Sequence, residues 1–222
     1  MKSIITLLFT LALTLSVSAQ STALERGTDN ITVEGHIPLG GPLSVMDMEI
    51  EQEMHRPYAY VGRGHLGDFV AKGMDIIDLS DPSSPTVIKR WRIENEALHT
   101  GLGGMDVKYF KWADRYYVVQ SIQFGPGPNE SLGAVVFDVT DLPDPDKVVE
   151  VARIEEDRWP GGFHNIFIYK HSNGNVYLFT TVNWGQASIY DLGKVVSGDV
   201  ENALVGHVPV PPDAVGGPAG AE

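Results

Sequence analysis

The chain has 222 residues, a formal net charge of -13, 43% hydrophobic residues and no cysteine. The missing cysteines exclude disulfides, thiolate metal sites and cysteine nucleophiles. The acidic charge, which no Lys/Arg cluster offsets, argues against nucleic acid or an anionic membrane surface as a partner.

The N-terminus has the features of a Sec-type signal peptide. Lys2 precedes an apolar run that ends in Val17, Ser18 and Ala19, which is a small-x-small cleavage pattern. The run contains threonines and is shorter than the roughly 20 residues of a bilayer span. The pattern predicts a signal peptide over residues 1–19, export to the periplasm or the exterior, and no membrane span in the mature chain.

An internal repeat follows an N-terminal segment, residues 20–43. The stretches GMDIIDLSDPSSPTVIKRWRI and GAVVFDVTDLPDPDKVVEVARI share a glycine, an apolar strand, an aspartate, a proline-rich corner and a second strand. A third copy, ASIYDLGKVVSGDVENALVGHVPV, keeps the strand and the aspartate but has a longer connection. Upstream, Asp47, Asp106 and Asn165 occupy matched positions at intervals of 59 residues. The fixed spacing indicates tandem structural units.

Each repeat consists of four short β-rich runs separated by Gly, Pro, Asp and Asn. This pattern predicts an all-β protein, a β-propeller whose repeats are four-stranded antiparallel blades. The three blades are predicted at about 44–94, 104–154 and 163–208, followed by a Pro/Gly-rich tail at 209–222. A β-sandwich is the alternative architecture.

Three stretches of the chain resemble a known group of proteins. The corner DIIDLSDPSSPTVI resembles the repeat of bacterial LVIVD-type propeller proteins, the group that includes choice-of-anchor B proteins. GGFHNIFIYKHSNG and SLGAVVFDVTDLPD are similar to exported members of that group. The resemblance covers about Asn30 to Val210 and implies a ring of six or seven blades, of which three are visible. We therefore expect the N-terminal part of a longer protein; the alternative is a three-bladed protomer that pairs into a six-bladed dimer.

Candidate site residues cluster where each blade begins. They are His99 and His164, on loops that lead into the second and third blades, and Asp47, Asp106 and Asn165, at matched strand starts. The first strands of propeller blades line the central channel, and imidazole with carboxylate suits a divalent transition metal. The structural interpretation, which we favour, is that such residues tie neighbouring blades by hydrogen bonds to backbone groups.

The acidic corner DVTDLPDPD, from Asp138 to Asp146, lacks the glycine and the terminal glutamate of an EF-hand loop. It therefore predicts a turn and not a calcium site, because aspartate accepts hydrogen bonds from its own backbone and proline fixes φ. The sequence also contains no G-x-S-x-G elbow, phosphate loop or H-E-x-x-H motif.

These observations predict a binding or scaffold propeller whose ligand, protein or small molecule, is unknown. The alternative is a metal-dependent enzyme, an oxidoreductase or a hydrolase, with its site at the channel mouth. Propellers of the selenium-binding type, which have similar histidine-bearing loops and act as oxidoreductases, resemble that second arrangement.

Overall fold

The protein folds into three separate antiparallel sheets of four strands each. The structure, a computed structural model, describes residues 30–65, 72–94, 106–123, 130–182 and 186–209. Sheet I contains β1 (Ser44–Ile50), β2 (Tyr58–Gly64), β3 (Gly73–Asp78) and β4 (Thr86–Arg92). Sheet II contains β5 (Val107–Trp112), β6 (Arg115–Ser121), β7 (Leu132–Asp138) and β8 (Val149–Glu155). Sheet III contains β9 (Ile166–Lys170), β10 (Val176–Thr181), β11 (Gln186–Asp191) and β12 (Leu204–Pro209).

The prediction of an all-β protein made of four-stranded antiparallel units is confirmed, since neighbouring strands of each sheet follow one another along the chain. The longer connection of the third repeat contains a short helix, α1 (Leu192–Val196). The predicted signal peptide, His99 and the tail from residue 210 onwards lie outside the described residues. Within the described ranges, no helix has the length and apolar character needed to cross a lipid bilayer.

Sheets I and II pack face to face across an apolar core. Tyr60 and Ile76 of sheet I meet Val118 and Phe137 of sheet II, and all four side chains are buried. The indole of Trp91 lies edge-on to the Phe137 ring, with 5.0 Å between the centroids. The burial of these large apolar side chains is what holds the two sheets together.

Sheets II and III form a second core of the same kind. Val119 and Val136 of sheet II, Leu178 of sheet III and Phe163, which precedes β9, belong to one buried cluster. A Cβ atom on Gly133 would lie 2.4 Å from the Phe163 ring, so only glycine permits this approach. The first strands also lie next to one another, β1 beside β5 and β5 beside β9.

The N-terminal segment covers the free face of sheet I. Ile37 and Leu39 pack against Ala59, Val61 and Ile77 on the side that faces away from sheet II. The segment is held by the buried guanidinium of one arginine of β2, which donates to backbone carbonyls at three positions: Arg63 to Leu39, Gly40 and Leu43. This face of the first sheet is therefore partly closed by the chain itself.

The repeated aspartate after the third strand of each sheet begins a turn. The Oδ1 atom of Asp78 accepts from the backbone N–H of Ser80 at 2.7 Å. Asp138 accepts in the same way from Thr140 at 3.0 Å, and Asp191 caps α1. The interpretation of the acidic corner as a turn predicts these hydrogen bonds between an aspartate and its own backbone.

Asp138→Asn should reduce stability at neutral pH and flatten the acid dependence. Burial alone would raise the pKa of Asp138, but hydrogen bonds from Thr140 and the ion pair with Arg115 outweigh it and lower the pKa below the ordinary 3.8. The ionised carboxylate therefore stabilises the fold above about pH 4, and this contribution is lost as pH falls through the lowered pKa. We expect a loss of about 1–2 kcal/mol at pH 7 and a smaller loss at pH 3, where more of the carboxyl group is protonated. Urea unfolding at both pH values checks this, with Asp146→Asn as the exposed control; an equal loss at pH 3 would contradict it.

Candidate functional site

The first predicted site residue, Asp47, connects sheet I to sheet II. The register of β1 shifts between Val45 and Asp47, and the aspartate bonds to the neighbouring sheet. Its Oδ2 atom accepts from the backbone N–H of Val107 at 3.1 Å and from the ammonium group of Lys108 at 2.5 Å. Both donors belong to β5, so one half-buried carboxylate joins the first strands of two sheets.

Asp106 makes the equivalent connection between sheets II and III. It directly precedes β5, and its Oδ2 atom accepts from the backbone N–H of Ile166 at 2.9 Å. The same oxygen accepts from Nδ2 of Asn165 at 3.2 Å. Asn165 is itself fixed by its backbone N–H, which donates to the hydroxyl of Thr181 at 2.9 Å. The structure thus brings Asp106 and Asn165 into contact, whereas Asp47 makes its bonds at the preceding boundary, between sheets I and II.

His164 lies on the surface beside this second connection. Its Nδ1 atom is 2.7 Å from Oε1 of Gln123, and its backbone N–H donates to the carbonyl of Thr181 at 3.1 Å. The imidazole is exposed and thus remains accessible from solvent. In the part of the chain that the structure describes, no group of three or more His, Asp or Glu residues is placed to hold a metal ion. His99, the other predicted histidine, is outside that part.

The chemistry open to these residues is limited by the bonds that they already make. The carboxylates of Asp47 and Asp106 accept backbone hydrogen bonds across a sheet boundary, which is the structural tie expected at such strand starts. A carboxylate engaged in this way has little freedom to move protons or to bind a metal ion. Among the described residues at this end, His164 is exposed and Gln123 beside it is half-buried, so a ligand can reach this pair.

A buried carboxylate that the sequence did not single out, that of Glu156, lies at the boundary of sheets II and III. Glu156 accepts from the Ser188 hydroxyl at 2.9 Å and the Tyr190 hydroxyl at 3.1 Å. Burial, followed by the charge of Glu156, raises the pKa of Tyr190 well above its ordinary range. Nδ1 of His207 is 3.2 Å from the Ser188 hydroxyl, and its ring lies edge-on to Trp159.

Serine, histidine and glutamate together are the residue types of a hydrolytic triad, but their arrangement here differs. In a triad the histidine lies between the acid and a solvent-facing serine. Here Ser188 lies between Glu156 and His207, and it is fully buried. The cluster therefore fixes strands β11 and β12 on the end of sheet II. No sequence motif indicates it, because its members are separated by 32 and 19 residues.

An open cleft of about 300 Å³ lies between β5 and β9, at the opposite end from Asp106. Its walls combine the aromatic rings of Tyr109 and Phe110 with the aliphatic Ile168 and the ammonium groups of Lys111 and Lys170. The Tyr109 hydroxyl donates to a neighbouring carboxylate at 2.6 Å. Burial and this bond raise the pKa of Tyr109 to about 12, so the phenol is neutral at physiological pH.

Asp106→Ala should destabilise the protein by about 1–3 kcal/mol, because two donors of sheet III lose their acceptor. Asp106→Asn keeps an oxygen that can accept from Ile166 and should lose less than half as much. Urea unfolding of both variants measures the difference. If the carboxylate were needed for its charge, as a metal ligand would be, Asp106→Asn would lower the unfolding free energy as much as Asp106→Ala does. That result would contradict the structural role.

Comparison with known proteins adds no relative: no family model matches the chain, and no curated protein is significantly similar to it. The geometry of the three sheets and their connections therefore carries the functional argument.

Proposed function

We propose that the three sheets are blades of a β-propeller, that the protein is exported, and that it acts as a binding or scaffold module. The observation that carries the proposal is the repeated tie. Asp47 reaches the start of β5, and Asp106, 59 residues later, reaches the start of β9. Successive sheets related by one repeated contact, with their first strands side by side, are what a propeller requires and a sandwich does not.

The role in binding is supported by what the strand-start end offers. Its carboxylates are used in holding the sheets together, whereas His164 is exposed and its neighbour Gln123 is half-buried, next to strands of sheets II and III. Propellers commonly bind ligands through loops and side chains at one end of the blades. Sites on a rigid scaffold bind with little loss of conformational entropy. The resemblance to exported LVIVD-type propellers agrees with this role but names no ligand.

The test is capture of a partner from envelope extract with signal-cleaved protein, followed by titration of the purified partner. We expect His164→Ala and Gln123→Ala to weaken binding by about tenfold or more, as truncation at a binding centre does. Lys170→Ala, at the opposite end, is the matched control. Specific binding that is lost only in the Lys170 variant would move the recognition surface to the cleft, and the absence of any saturable partner would refute the binding role.

A metal-dependent oxidoreductase or hydrolase is the second candidate that the sequence raises, with a divalent transition metal held by His99, His164 and Asp106. Of these three residues the structure describes His164, an exposed imidazole, and Asp106, a carboxylate already bonded to sheet III, so no specific observation favours a metal site. Mass spectrometry of the metal content decides the matter. A stoichiometric transition metal that disappears in His164→Ala would replace the scaffold proposal with this one.

A further inference from the structure

The two end sheets expose apolar side chains at positions that are buried inside the molecule. The cross-strand pair Tyr60 and Ile76 in sheet I is matched by Val119 and Val136 in sheet II. Each of these pairs is fully buried by the sheet that follows. The matching pair of sheet III, Phe179 and Ile189, faces outward and is only half-buried. Sheet III thus has the surface of a sheet that another sheet should follow.

Exposed apolar side chains also lie on the first strands of sheets I and III. On β9, Phe167 and Tyr169 are 63% and 44% exposed, although Phe110, which matches Tyr169, is buried. On β1, Met48 and Ile50 are 53% and 40% exposed. Their counterparts one and two repeats later are covered by the preceding sheet: they are Val107 and Tyr109 in sheet II, and Ile166 and Ile168 in sheet III. Within the described residues, no sheet packs on the outer face of sheet III or on the first strand of sheet I, and these two surfaces are complementary.

The hydrogen bond that repeats between successive first strands indicates which residues would meet across a contact between the two ends. Asp47 and Asp106 each accept a backbone N–H at the start of the next first strand. Asn165 occupies the third matched position, and no residue of the described chain donates to its Oδ1 atom. The N–H that matches those of Val107 and Ile166 is that of Met48, in β1. The geometry thus points from the start of β9 to β1 of another molecule.

Resting on the proposed propeller arrangement, we propose that two copies of the chain associate head to tail, with β9 of each copy against β1 of the other. Phe167 and Tyr169 pack on Met48 and Ile50, and Asn165 accepts from the backbone of Met48. Two such contacts are related by a twofold axis and close a ring of six sheets, so no apolar first strand stays exposed.

Two further features fit this occupant. The N-terminal segment covers Ala59, Val61 and Ile77 but not Met48 or Ile50, so it leaves the inner part of the face open for a partner. An asparagine also suits position 165, because an aspartate there would place a second negative charge near Glu49, the residue that matches Lys108. The tie between sheets I and II pairs its aspartate with that lysine instead.

Light scattering during size exclusion of the signal-cleaved chain is the first test, and twice the monomer mass is expected. Phe167→Lys and Met48→Lys should each raise the dimer dissociation constant by about tenfold or more. The control is Val149→Lys, which changes a residue 49% exposed on β8, away from both ends, and should leave the mass unchanged.

The native chain has no cysteine, so crosslinking can report orientation. Phe110 and Ile168, which match Tyr169 and Ile50, line the same cleft and belong to the same core. Tyr169→Cys mixed with Ile50→Cys should therefore form a disulfide-linked dimer, whereas neither variant alone should do so efficiently.

A monomeric native protein would overturn the inference, and so would self-crosslinking of Tyr169→Cys, which indicates a face-to-face pairing of two copies of sheet III. Circular dichroism and urea unfolding of each variant establish that a loss of dimer is not a loss of fold. A monomer that still binds its partner through His164 would overturn this inference alone and leave the proposed binding function in place.

Discussion

Arg56→Met is expected to cost about 3–5 kcal/mol of unfolding free energy, because it leaves a buried carboxylate without its cation. Arg56 is 6% exposed, and its guanidinium binds Glu51 at 2.5 Å, while the hydroxyl of Tyr60 donates to the same carboxylate. The guanidinium of Arg56 also donates to the backbone carbonyls of Val139 and Thr140, directly after β7 of sheet II, at 2.9 and 3.0 Å. The substitution therefore breaks an ion pair and a connection between sheets at once. Urea unfolding followed by circular dichroism measures the loss.

The chain contains its own control for this prediction. Arg115 occupies the matched position of the second repeat, but its side chain is 50% exposed and pairs with Asp138. Arg115→Met should therefore cost about 1 kcal/mol or less. The triple variant Glu51→Leu/Arg56→Met/Tyr60→Phe should recover much of the stability, since a buried cluster replaced as a whole leaves no charge uncompensated and no buried hydroxyl without its acceptor. Equal losses in Arg56→Met and Arg115→Met would show that burial of the pair has no special effect.

These two arginines also show how far the repeat could predict the structure. Spacing predicted the four-stranded units, because an apolar strand, an aspartate and a proline-rich corner recur at matched positions. It could not predict that Arg56 is buried and Arg115 exposed. The difference arises one strand away, where sheet I has Glu51 and sheet II has Phe110 at the matched position. A residue that changes between repeats alters its neighbours in a way that only the packed structure reveals.

The candidate site was predictable to a similar degree. The interval of 59 residues identified Asp47, Asp106 and Asn165 as a set, and strand-start chemistry suggested bonds to the next strand. The contact between His164 and Gln123 was not foreseen, because it joins two sheets across 41 residues. The sequence treated His99 and His164 as partners on loops of one kind. Whether they meet stays a prediction, since His99 lies outside the described residues.

Phe137→Ala is expected to cost about 3–5 kcal/mol, because it leaves a cavity between two sheets that cannot close by moving one side chain. Phe137 is 1% exposed and lies in the core shared by sheets I and II, against the indole of Trp91. The loss should appear as a lower urea midpoint with an unchanged slope, as removal of native packing predicts.

Phe167→Ala deletes the same atoms from a ring that is 63% exposed, so it provides the matched control. At protein concentrations low enough to keep the chain monomeric, it should change the unfolding free energy by about 0.5 kcal/mol or less. At higher concentrations it should lower stability, because association of the folded chain adds to the apparent free energy of unfolding. A Phe137→Ala loss no larger than that of Phe167→Ala would mean that sheets I and II do not depend on each other for stability. A concentration-dependent loss confined to Phe167→Ala would instead separate the two roles of phenylalanine in this fold, one in joining sheets within a chain and the other in joining chains.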